Sequence, residues 1–246
     1  MNSNAMEIET KDGVVPCRFF TPPHEGGRPA VIFYMDAIGI RPALIDMAGR
    51  LASNGYNVLL PNLYYRSGPV KPFEAAIVFK GGEELVRLRT MIASLTHKMV
   101  MEDTLSFLDF LELQPSIAGR KFGCVGYCMG GGFALDAAGT FPGRIAAAAS
   151  LHGARLATDQ PDSPHLLAPK MRAGIYVGIA GIDPHFSPEE TQRLESALQS
   201  AGVENEVEVY PGVRHGFAVN DTPVFNQSAS ERHWRQILKL FAGKLS

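Results

Sequence analysis

Cys128 stands in the run Gly126-Tyr127-Cys128-Met129-Gly130-Gly131-Gly132. The preceding residues, 121–125, are short and apolar enough for a buried strand, and residues 133–138 read as the start of a helix. A strand, a Gly-x-nucleophile-x-Gly turn and a helix present a side chain on a tight, strained corner. Gly126 and Gly130 let the backbone pass close to that side chain without Cβ clashes. The helix start turns its N–H groups toward the same point and favours negative charge there. A free thiol, with a pKa of about 8.5, is only a few per cent thiolate at neutral pH, so it needs a base. His215, in Arg214-His215-Gly216-Phe217, can take the proton and later return it to a leaving group. Asp183, in Gly181-Ile182-Asp183-Pro184, can hold the imidazole tautomer and stabilise its cation. The Met129 N–H and the Ala37 N–H are the candidate oxyanion donors, and loss of one such donor typically costs ~3 kcal/mol of barrier lowering.

These residues need a frame. Residues 7–21 read as a hairpin turning at Asp12-Gly13, and 30–35, 56–61, 145–151, 173–180 and 207–210 read as strands. Helical spacing covers 43–54, with Gly55 as its cap, then 83–94, 104–113 and 231–244. Ser187 with Glu190 makes a capping box for a helix running to about residue 201. Residues 154–171, interrupted by Pro161, Pro164 and Pro169, read as a loop. Alternating strands and helices imply an α/β fold: a mostly parallel central sheet flanked by helices on both faces, with no separate cap domain. Residues 6–246 then form one domain, and residues 1–5 are read as a cloning remnant or a disordered start. Each candidate chemical residue follows a strand, where open α/β sheets place their sites.

Composition excludes several classes. The chain has 246 residues, 46% of them hydrophobic and 20% charged, with a net charge of −2 and no basic run, which argues against nucleic acid as a partner. No apolar stretch approaches the roughly 18–20 residues of a membrane span. Three cysteines, at 17, 124 and 128, cannot build a disulfide framework, and no export signal is evident, so a cytoplasmic location is expected. Cys124 reads as core. The histidines form no H-E-x-x-H or comparable cluster, so no metal site is expected; the Gly-rich turn lacks a P-loop Lys-Ser/Thr, and Rossmann spacing is absent. His152, after a strand end, reads as structural, while His185 and Phe186 beside Asp183 are candidates for the substrate entrance.

The combination of Tyr34-Met35-Asp36-Ala37-Ile38-Gly39, Pro61-Asn62-Leu63-Tyr64-Tyr65-Arg66, the Cys128 turn, Gly181-Ile182-Asp183-Pro184 and Arg214-His215-Gly216-Phe217 resembles the dienelactone hydrolase family. The resemblance implies an α/β-hydrolase domain without cofactor that acts on a small-molecule ester or lactone through a thioester on Cys128. It also implies an acidic residue in contact with the resting thiol; that position is Asp36 here, where the best-known members carry Glu. Tyr64, Arg66 and Phe217 are the pocket candidates. The best-known members bind a substrate carboxylate with arginines, one of them shortly after the catalytic histidine. This chain reads Gly216-Phe217-Ala218-Val219-Asn220 there, leaving Arg87 and Arg89 as candidates for another. The expected assembly is a monomer or homodimer. Two other readings share the scaffold: a non-catalytic ligand-binding or sensory protein, and an acyltransferase in which an alcohol or thiol replaces water.

Overall fold

The runs Ala30–Tyr34 (β3), Asn57–Pro61 (β4) and Phe122–Tyr127 (β5) are buried at every residue, as apolar strands covered on both faces must be. They form the centre of an eight-stranded sheet in a computed structural model that describes residues 2–23 and 26–245. The remaining strands are β1 (Asn2–Thr10), β2 (Gly13–Thr21), β6 (Ile145–Leu151), β7 (Gly174–Ile182) and β8 (Asn205–Arg214), in the spatial order β1-β2-β4-β3-β5-β6-β7-β8. From β4 to β8 all pairings are parallel, whereas β1 and β2 join antiparallel as an edge hairpin. Thr10 pairs with Gly13, so the turn residues are Lys11 and Asp12, one position earlier than Asp12-Gly13. Residues 2–5, expected as a remnant or disordered start, form the first part of β1 and pair with residues 18–21; Met1 lies outside the described residues.

The helices are α1 (Pro42–Ser53), α2 (Ala75–Val78), α3 (Glu83–Ala93), α4 (His97–Glu112), α5 (Met129–Thr140), α6 (Pro188–Ser200) and α7 (Gln227–Lys244). Adjacent strand residues point to opposite faces, and β5 shows which helix covers which. A Cβ on Gly123 would meet Leu245 and Phe241 at the end of α7, while the Cys124 thiol bonds the Ala134 carbonyl of α5. Arg50 of α1 pairs with Glu231 of α7, so these two helices share a face. Helix α4 starts seven residues before the expected position 104, because Thr96 caps it by accepting from the Met99 N–H. Residues 154–171 are not all loop: Pro164–Lys170 forms a 3-10 helix. Between β4 and α4, the α2–α3 segment builds a small apolar cluster from Phe73, Ala75, Val78 and Leu88 with Ala37 and Ile38, against which Cys128 packs. Among the described residues no helix is long and apolar enough to cross a membrane.

The turn between β5 and α5 is set by contact distances. A Cβ on Gly126 would lie 1.8 Å from the Gly130 carbonyl oxygen, and one on Gly130 would lie 2.6 Å from the carbonyl oxygens of Tyr34 and Met35. Both obstacles are backbone and cannot rotate away. Gly126→Ala is therefore expected to destabilise the protein by ~3 kcal/mol or more. Gly143→Ala, where the added Cβ meets nothing within 4 Å, is the matched control and should shift the thermal midpoint little. Equal midpoints for the two variants would remove the steric account of the turn.

Candidate active site

Cys128 follows β5 and caps α5 with φ 54° and ψ −120°, a left-handed backbone that only a well-tied turn retains. Its N–H bonds the Leu151 carbonyl of β6 at 3.1 Å, and its own carbonyl accepts from Gly131 at 3.0 Å and Ala154 at 3.2 Å. The thiol is half-buried in a cavity of about 810 Å³ that also contains Asp183 and His215.

A break in strand register brings the last two together. Ala180 pairs with Tyr210, but Ile182 pairs with Arg214, so β8 carries two extra residues opposite Gly181. Pro211 and Gly212 occupy the bulge, which an edge strand tolerates. Gly181 allows it, since a Cβ there would lie 2.7 Å from the Tyr210 carbonyl oxygen. Beyond the bulge the His215 N–H bonds the Ile182 carbonyl at 3.3 Å, and His215 Nδ1 lies 2.8 Å from Asp183 Oδ2. Asp183 Oδ1 accepts the His185 N–H at 2.9 Å, which orients the carboxylate. His215 Nε2 is buried and has no hydrogen-bond partner among the described residues. Burial alone would lower the imidazole pKa. Electrostatic interaction with the neighbouring Cys128 sulfur, followed by hydrogen bonding to Asp183, outweighs burial and pushes it up to about 10.

Two further imidazoles surround His215. The His152 ring centroid lies 5.0 Å away and that of His185 4.9 Å away, both edge-on. His152 is buried with φ 37°, and neither ring nitrogen has a partner among the described residues. Burial, then the His215 charge, holds His152 well below the usual histidine range and lowers His185 as well. The cluster therefore carries its positive charge on His215. His152 lines the cavity, a placement that its position after a strand end hinted at but did not decide.

The other expected positions separate. Ala37 and Met129 flank the point where β3 meets α5, and among the described residues no acceptor takes either N–H. Tyr64 is buried beneath this corner. Burial and the nearby Cys128 and Asp36 raise its pKa, so its phenol stays protonated and donates to the Ala37 carbonyl at 2.8 Å. Tyr64 thus supports the corner and does not line the cavity. Arg66, expected in the pocket, is bound to Asp103 and Asp12 and lies over the Tyr65 ring, away from the site. Phe217, also expected there, is fully buried behind His152 and Tyr210. Asp36 does line the cavity, but among the described residues its carboxylate makes no bond to the thiol. Both oxygens are held by Arg41, at 2.8 and 2.9 Å, and Oδ1 also accepts from Ile38 and Gly39. Of the two arginines left open, Arg87 pairs with Glu84 and stacks on Phe73, whereas Arg89 lines the cavity without a hydrogen bond or ion pair among the described residues. Arg214, unremarked because it precedes His215 rather than following it, is equally unpartnered at the cavity.

A mostly parallel sheet with helices on both faces, a Gly-x-Cys-x-Gly turn after its fifth strand and an Asp–His pair after its last two mark the α/β-hydrolase fold. Residues 15–245 match the pattern of the dienelactone hydrolase family, and the chain belongs to that family of hydrolases. It is 26% identical over 223 residues to a Synechocystis protein provisionally named a carboxymethylenebutenolidase, covering 89% of this chain and 88% of that one. It is 25% identical over 225 residues to the carboxymethylenebutenolidase of Rhodococcus opacus, covering 88% and 81%. The crystal structure of dienelactone hydrolase from Anabaena variabilis superposes with a TM-score of 0.71 over 100% of this chain and 99% of that one, at 20% identity.

The charge on His215 is separable from its fold. Removing the thiol with Cys128→Ala leaves burial opposed only by Asp183, so the His215 pKa should fall below about 10. At pH 8 the parent imidazole is protonated, and the variant carries less of that charge. An NMR titration of the His215 ring in the two proteins reads this directly, and coincident curves would show that the thiol does not set the charge.

Proposed function

We propose that the protein is a cofactor-independent hydrolase of carboxylic esters or lactones that works through a thioester on Cys128. The observation that carries this reading is the 2.8 Å bond between His215 Nδ1 and Asp183 in the cavity that holds the half-buried Cys128 thiol. His215 Nε2 holds the proton that the thiol gives up, and the sulfur attacks the acyl carbon as a thiolate. The Met129 and Ala37 N–H groups receive the oxyanion. Collapse of the tetrahedral adduct breaks the C–O bond, and His215 returns the proton to the departing alkoxide. Water, deprotonated by His215, then attacks the thioester and releases the acid and the thiol.

The cavity gives the substrate its character. Its walls away from the reactive groups are apolar, with Ile38, Val78, Phe79, Leu88 and Ile92 among them. Arg89 and Arg214 supply unpaired cations in place of the arginine missing after His215. An ester or lactone with an apolar body and a carboxylate fits this combination.

Hydrolysis of a panel of aryl esters and lactones, with and without a carboxylate, tests both parts. Cys128→Ala should lower kcat at least ~10³-fold. Equal turnover by variant and parent would overturn the assignment of Cys128. Arg89→Ala combined with Arg214→Ala should raise KM about tenfold for carboxylate-bearing substrates and leave neutral ones unchanged; a uniform effect would remove the carboxylate preference.

A further inference from the structure

We propose that Arg41 is a positioning residue that locks the Ala37 corner to the loop following His215, an inference that takes the hydrolysis proposed above as the reaction it serves. Arg41 is buried between two carboxylates from distant parts of the chain. Its Nη1 and Nη2 donate to Asp36 at 2.8 and 2.9 Å. Its Nε and Nη2 donate to Asp221 at 2.6 and 2.9 Å. Nη1 also donates to the Gly39 carbonyl at 3.0 Å. Asp36 immediately precedes the Ala37 N–H at the end of β3, and Asp221 lies six residues after His215. One planar guanidinium therefore joins the segment carrying an oxyanion donor to the segment carrying the base, with a two-pronged grip on each.

The energetics favour positioning over stability. A buried ion pair recovers little more than its desolvation cost, and apolar replacements of similar volume often match it. What such a group does supply is fixed geometry: the planar fork and two carboxylates define a single arrangement. Charge adds a second effect. Asp36 faces the cavity beside the Ala37 N–H, and an unpaired carboxylate there would oppose negative charge on the adjacent oxyanion. Arg41 cancels that charge where it would do most harm.

Asp221 offers the test, because its side chain is 35% exposed and its loss leaves no cavity in the core. The Ile38 and Gly39 N–H groups bond Asp36 Oδ1 at 3.0 and 3.2 Å, so their hydrogen exchange reports whether the corner on the far side of Arg41 stays in place. Asp221→Asn is expected to lower kcat about tenfold with KM within about twofold, since a small displacement of reacting groups acts on the chemical step. It is also expected to speed exchange at Ile38 and Gly39 several-fold. Asp109→Asn, which removes a surface carboxylate bonded to Arg144, should change neither. Arg41→Lys, which keeps the charge but not the fork, should reproduce both effects and stands in if Asp221→Asn misfolds. Unchanged exchange at Ile38 and Gly39 overturns the proposal whatever the turnover, and so does acceleration that extends equally to the buried amides of β5. An active parent whose Asp221→Asn form keeps its kcat overturns it too. A parent that turns over no ester, with local exchange still accelerated, leaves the mechanical link standing and removes the hydrolytic reading instead.

Discussion

Everything near the cavity depends on how closely β5, β3 and α5 approach at the Cys128 turn. The left-handed backbone at Cys128 costs about 1–3 kcal/mol in isolation. It persists because the residue is tied on both sides, by its N–H to Leu151 and its carbonyl to Gly131 and Ala154. Those ties require Gly126 and Gly130 to be free of side chains, since their added Cβ atoms would lie 1.8 to 2.6 Å from backbone oxygens. The same approach sets the first turn of α5 against the last residues of β3. The position of the thiol thus follows from a single steric condition.

Electrostatics are organised around a single imidazolium. The His152 and His185 rings each stand within 5.0 Å of the His215 ring, and burial together with the His215 charge lowers both of their pKa values. His215 has the Asp183 carboxylate and the Cys128 sulfur as neighbours, while His152 has neither. His152 is the costly member: two buried ring nitrogens without partners forgo about 1–3 kcal/mol each. A purely structural role would be filled better by an apolar ring, as it is at Phe217 behind it.

Much of this was legible in the sequence, and for physical reasons. Buried parallel strands are continuous apolar runs, so 30–35 and 145–151 stand out, and the spacing of glycines around Cys128 marks the turn. Strand ends were less so. Strand β8 extends four residues past position 210 because Pro211 and Gly212 form a bulge, and those residue types read locally as a stop. The start of α4 was hidden because Thr96 lies in a polar stretch without periodicity. Ion partners were the least legible. Arg66 was placed in the pocket because arginine suits carboxylates, yet its carboxylates are Asp103 and Asp12, from a helix and a hairpin that only the fold brings near it. Arg41 and Asp221, 180 residues apart, carry no mark of each other in the chain. Phe217 was misplaced for a simpler reason: adjacency to His215 says nothing about which way a side chain faces.

The fate of Asp36 bears on how the resting thiol is held. For its carboxylate to reach the sulfur, it would have to leave two bonds to Arg41 and those from the Ile38 and Gly39 N–H groups. Separating one partner from a buried ion pair costs about 3–5 kcal/mol, before the stranded N–H groups are counted. A thiol hydrogen bond returns about 1 kcal/mol, so the balance lies firmly with Arg41. In this chain the carboxylate after β3 belongs to the frame, and the charge that meets Cys128 comes from His215.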